Sequence, residues 1–127
     1  MFGFEKLAVW KTARDFNKSI YKITLSFPKK ETFILVTQMR RAALSVCSNI
    51  AEGSSRKSSK DQAHFYHLSY SSLMELLNQC IIAKDLDFMT NIQLSECRQE
   101  VRKISTMLNS LRNKCLRKIN EVKPLDP

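Results

Sequence analysis

Arg40-Arg-Ala-Ala-Leu-Ser-Val-Cys-Ser-Asn-Ile-Ala-Glu-Gly53, continuing as Ser54-Ser-Arg-Lys-Ser-Ser-Lys60, carries the helical pattern on which the architecture of this chain rests. At about 100° per residue, a helix over Arg40 to Glu52 sets Arg41, Ser45, Ser48 and Glu52 on one face and Met39, Ala43, Val46 and Ile50 on another. Small residues on the face let a second helix approach closely. Gly53 is expected to stop the helix. Arg56, Lys57 and Lys60 then crowd positive charge into the turn, and Ser59-x-x-Gln62 is a capping pattern that opens the next helix.

The same periodicity recurs on either side of it. Trp10, Ala13, Phe16, Ile20, Ile23 and Phe27 follow one another at three- and four-residue spacing, the mark of a single buried stripe, and Phe27-Pro28 ends that helix. Thr90-x-x-Gln93 is a second capping pattern. It introduces Leu94, Cys97, Val101, Ile104, Leu108, Leu111, Cys115 and Ile119 in nearly unbroken 3-4 alternation. Neither glycine nor proline occurs between Lys29 and Glu52 or between Ser54 and Lys123. The spacing predicts one all-α domain over residues 1–127, an antiparallel up-down-up-down four-helix bundle with helices at about 7–26, 31–53, 59–85 and 91–120.

The third predicted helix carries two apolar stripes, one with Phe65, Leu68, Leu76 and Ala83 and one with Tyr66, Tyr70, Leu73, Leu77 and Ile81. A helix of an isolated bundle usually buries one stripe, so a homo-oligomer is expected. The four cysteines, Cys47, Cys80, Cys97 and Cys115, form no C-x-x-C pair and read as buried thiols. With no apolar run long enough to span a membrane, a soluble cytoplasmic protein with no membrane partner is expected.

A net charge of +9 over 127 residues points to a polyanionic partner. The charge is uneven: residues 1–30 hold seven Lys/Arg against two acids, while residues 61–90 hold one against four. Lys11, Arg14, Lys18 and Lys22 fall within one arc of the first helix, which can track a phosphate backbone. With Arg56, Lys57 and Lys60 they are the candidate nucleic-acid contacts. The turn between helices two and three is not a P-loop, although its amides, hydroxyls, Arg56 and Lys57 can hold a single phosphate. No aromatic platform or recognition helix accompanies these residues, so little sequence preference is expected.

Enzymatic chemistry finds little support. There is no Gly-x-Ser-x-Gly elbow or phosphate-cradling glycine loop, and His64-x-x-His67 with Asp61 and Glu75 lacks a convincing fourth metal ligand. No catalytic residue, metal ligand or cofactor is assigned. Arg41, Asn49, Glu52 and Glu75 are polar residues in the two most apolar helices and are expected to be partly buried, with an Arg-to-carboxylate pair fixing which helices meet.

Phe4-Glu-Lys-Leu-x-Val-Trp10, Phe27-Pro-x-x-Glu31, Gln38-x-Arg-Arg-Ala-Ala-x-Ser45, Ser48-Asn-Ile-Ala-Glu-Gly53, Arg56-x-Ser58 and Ser72-x-x-Glu75 stand in order along the chain. Together they resemble the bacterial four-helix-bundle family encoded in intervening sequences of large-subunit ribosomal RNA genes. Val46-Cys47 stands where that family usually has isoleucine-proline. The resemblance implies a ring-like homopentamer. The fold is similar to that of the accessory variability proteins of diversity-generating retroelements, basic pentamers that contact nucleic acid and a reverse transcriptase. The expected function is therefore non-enzymatic binding of RNA or DNA by a basic homo-oligomer. The alternative is a protein-interaction scaffold, for instance for a reverse transcriptase, with incidental nucleic acid contact.

Overall fold

The computed structural model describes residues 1–122 and is all-α over them. Four helices form it: α1 (Ala8–Thr24), α2 (Thr37–Ser55), α3 (Ser59–Asp85) and α4 (Asn91–Val122). A 3-10 turn (Gly3–Lys6) precedes α1, and a 3-10 turn (Lys29–Glu31) and a π-helical turn (Thr32–Val36) lead into α2. The regular part of the second helix thus begins later than its apolar pattern does. The Thr37 hydroxyl donates to the Thr32 carbonyl, five residues back, at 2.5 Å, which suits the wide π geometry of that turn.

One core runs through the chain. The α1 stripe buries Ala13, Phe16 and Ile20, joined by Val9 and by Phe27 just beyond the helix; α2 contributes Met39, Ala43, Val46 and Ile50; α4 contributes Cys97, Val101, Ile104 and Leu108. Around the core, α3 packs extensively against both α2 and α4, while α1 closes the set against α2 and, more sparsely, α4. Both stripes of α3 are therefore largely used within the chain: Leu76 and Ala83 from one, and Tyr66 and Leu73 from the other, are buried. The four cysteines are free and buried.

Gly53 does something other than stop α2. The helix continues to Ser55, and neither glycine has a positive φ. A Cβ at Gly53 would meet the Tyr66 ring at 2.8 Å and the Phe65 Cβ at 3.1 Å, so the missing side chain is what lets α3 cross this close. The cap of α3 also lies one residue earlier than its pattern indicates: Ser58 Oγ accepts from the Asp61 amide at 3.1 Å. Gln62 instead donates its Nε2 to the Arg56 carbonyl at 3.0 Å, tying the turn to the helix it opens. At α4 the capping box forms as read, with Thr90 N–H donating to Gln93 Oε1 at 2.9 Å and Gln93 N–H to Thr90 Oγ1 at 3.1 Å.

The α2–α3 seam is polar and hydrogen-bonded. Ser69, fully buried, donates to the Val46 carbonyl at 2.8 Å; Ser45 and Ser72 share a hydrogen bond of 2.8 Å; Asn49 donates to the Ser45 carbonyl and hydroxyl. These bonds set the register of the two helices. The expected Arg-to-carboxylate register pair is not what does so: Arg41 and Glu75 are exposed, Glu75 accepts from Gln79 one turn on, and Glu52 pairs with Arg56 at the end of its own helix. Between α1 and α2 the working arginine is Arg40. Its guanidinium stacks 4.5 Å from the Tyr21 ring centroid, donates to Thr24 Oγ1 at 3.0 Å and reaches the Tyr21 carbonyl at 3.3 Å. A cation there also answers the negative end of the α1 dipole.

Candidate nucleic-acid interface

The amphipathic register of α1 turns Lys11, Arg14, Lys18 and Lys22 outward together, and all four are exposed. Arg14 is the most restrained, its guanidinium lying 4.9 Å from the Trp10 centroid, and Trp10 in turn meets Phe4 edge-on at 5.0 Å. The indole holds the guanidinium in one orientation without neutralising it. One flank of the stripe is acidic. A groove of about 420 Å³ between α1 and α4 is lined by Asp15, Glu96, Glu100 and Lys103, so a phosphate backbone following the stripe is favoured away from α4.

The turn between α2 and α3 contributes less than its composition promises. Arg56 is held by Glu52 at 2.5 Å and stacks 4.6 Å from the Phe65 centroid. Ser55 donates to the Glu52 carbonyl and Ser58 caps α3. The Ser55 and Ser58 hydroxyls and the Arg56 guanidinium are thus engaged within the chain, and Lys57 and Lys60 remain, both exposed. They have company that the sequence reading did not assign to a site. Cys115 of α4 meets Gln62 of α3 at 3.6 Å, which brings the exposed Lys114, Arg117 and Lys118 to the end of the molecule that holds Lys57 and Lys60. The signal for this was in the α4 stripe, where Cys115 lies on the buried side and its neighbours must face out.

The remaining polar residues form no second centre. His64 and His67 are exposed, and His64 sets its ring edge-on to Phe65 at 5.5 Å. Among the described residues no three His, Cys, Asp or Glu side chains gather as metal ligands would, and no helix is long and apolar enough to cross a membrane. Burial pushes the Cys47 thiol up to about 11, a hydrogen bond to Cys97, then burial, raises Cys80, and the same hydrogen bond lowers Cys97.

Four helices around one core, with a basic stripe on α1 and basic residues at one end, define a basic all-α helical protein. A family model described as "23S rRNA-intervening sequence protein" matches residues 5–110, and the chain belongs to that family. In fold it is similar to a crystal structure, from Bacteroides thetaiotaomicron, of a protein with unknown function from the S23 ribosomal protein family. The TM-score is 0.76 at 17% identity, covering 83% of this chain and 95% of that one. No curated protein matches the sequence.

Proposed function

We propose that this chain is a non-enzymatic, basic homo-oligomer that binds RNA or DNA through phosphate contacts with little sequence preference. The observation that carries this reading is unneutralised charge: on a chain of net +9, the ion pair between Arg56 and Glu52 is the only one among the described residues. Lys11, Arg14, Lys18 and Lys22 on α1, with Lys57 and Lys60, supply the contacts. The family is named for an intervening sequence of 23S rRNA, which makes RNA the first probe to try.

The finer architecture in this reading is an antiparallel up-down-up-down bundle. Its support is the order of contacts, in which Gly53, Val46 and Ser45 of α2 meet Tyr66, Ser69 and Ser72 of α3 in opposite chain directions. Five copies in a ring is the assembly that the resemblance gives. Leu44 of α2 and Leu68 and Ile82 of α3 remain 53%, 36% and 41% exposed and are the apolar surface available to neighbouring helices of other copies.

The test is titration of nuclease-treated protein with labelled RNA and duplex DNA across a salt series, with mass measured by light scattering. Affinity should fall steeply with salt, and replacing Lys11, Lys18 and Lys22 by Glu should abolish binding with helicity unchanged. Binding that survives this change in moderate salt would remove the α1 stripe as the site. The exposed leucines and isoleucine also favour a second reading, a scaffold for a protein partner such as a reverse transcriptase. A protein retained in a pull-down after nuclease treatment would put that reading ahead.

A further inference from the structure

The end of the molecule where α1 leads into α2 and α3 into α4 is apolar and exposed. Phe27 and Phe88, one from each connection, meet at 5.6 Å and hold the two connections together. On those connections and the helix ends beside them, Leu25, Phe33, Ile34, Leu86 and Ile92 are 77%, 90%, 63%, 52% and 72% exposed. Single exposed apolar residues are ordinary; five on two touching connections make a patch. The π-helical turn contributes to it, since Phe33 and Ile34 lie within Thr32–Val36.

Charge says what can cover this patch. Lys29 and Lys30 lie on the first connection, Asp85 and Asp87 at the second, and Glu31 and Lys84 complete a balance of three against three. On a chain of net +9, copies repel one another wherever the surface is basic. Here the local charge cancels, with two bases against one acid over Lys29–Glu31 and two acids against one base over Lys84–Asp87, opposite net signs that complement each other under a two-fold axis. A membrane of anionic lipid or a nucleic acid backbone would meet the acidic half with the wrong sign.

We infer that two copies of this chain join end to end in an isologous contact, burying Leu25, Phe33, Ile34, Leu86 and Ile92 and setting Lys29 and Lys30 against the partner's Asp85 and the partner's Asp87. The contact goes beyond the ring, uses the ends of the helices rather than their sides, and does not depend on how many copies the ring holds.

Light scattering coupled to size exclusion tests it on the full chain. Phe33→Ser with Ile34→Asp should halve the assembled mass, and far-UV circular dichroism should not change, because both side chains already face solvent. Lys30→Glu should also halve it, and adding Asp85→Lys should restore it. If the ring reading fails, the halved species is the 14.7 kDa chain; if it holds, the halved species is one ring, so the factor of two is read separately from the ring. A mass that Phe33→Ser with Ile34→Asp leaves unchanged overturns the contact. So does a double charge reversal that fails to restore the mass, or binding to phosphatidylserine vesicles that depends on Phe33.

Discussion

At the scale of single residues, Gly53 opposes two effects of known size. Alanine favours a helix over glycine by about 1 kcal/mol, but its Cβ would meet the buried Tyr66 ring at 2.8 Å and the Phe65 Cβ at 3.1 Å. Phe65 Cβ is fixed to the backbone of α3 and cannot swing away, and overpacking of this kind costs about 1–3 kcal/mol. Gly53→Ala should therefore lower stability by about 1 kcal/mol in urea denaturation. The thiols give a pH dependence. Burial raises the Cys47 thiol from its ordinary 9.0 to about 11, so the native state holds its proton more tightly. Stability from this source is fully present below about pH 9 and is lost as pH rises toward about 11, by no more than about 2–3 kcal/mol. Urea midpoints between pH 8 and pH 11 check the sign. A thiol reagent at pH 8 should label the four cysteines rapidly only after unfolding.

The elements are defined by their ends, and the ends give their own tests. Ser58→Ala removes the hydroxyl that caps α3 and should cost about 1 kcal/mol. Ser59→Ala, in the position the capping pattern favoured, should stay within about 0.5 kcal/mol. Comparing the two urea midpoints decides the boundary. α3 ends in a Schellman arrangement, with Phe88 N–H donating to the Ala83 carbonyl and Asp87 N–H to the Lys84 carbonyl; Asp87 sits at φ 62° where glycine is usual. Asp87→Gly should raise stability by about 0.5–1 kcal/mol through relief of the left-handed backbone. The helices themselves were legible because apolar residues at Ala13, Phe16 and Ile20, or Cys97, Val101, Ile104 and Leu108, admit one period. Their exact ends were not, because Ser58 and Ser59 offer the same hydroxyl and only the path of the turn selects one.

For the whole molecule the prediction concerns charge. Lys57→Glu with Lys60→Glu should weaken RNA binding and reduce the salt slope by about one per phosphate contact removed. The fluorescence of Trp10, the only tryptophan, should respond to RNA, since Arg14 of the basic stripe stacks on its ring. Loss of affinity with an unchanged slope would mean that these lysines act other than through phosphate.

The all-α class, the buried stripes and the outward face of Lys11, Arg14, Lys18 and Lys22 follow from residue order alone, because helical periodicity is a property of neighbours three and four residues apart. The packing of helix on helix settles that Arg40 rather than Arg41 clamps α1, that Gly53 is a point of close approach, and that Ser69 locks α2 to α3. It also brought Lys114, Arg117 and Lys118 to the end that holds Lys57 and Lys60. Each of these depends on a residue more than a helical turn away, and the distance between two helices is fixed by packing, which no local period encodes.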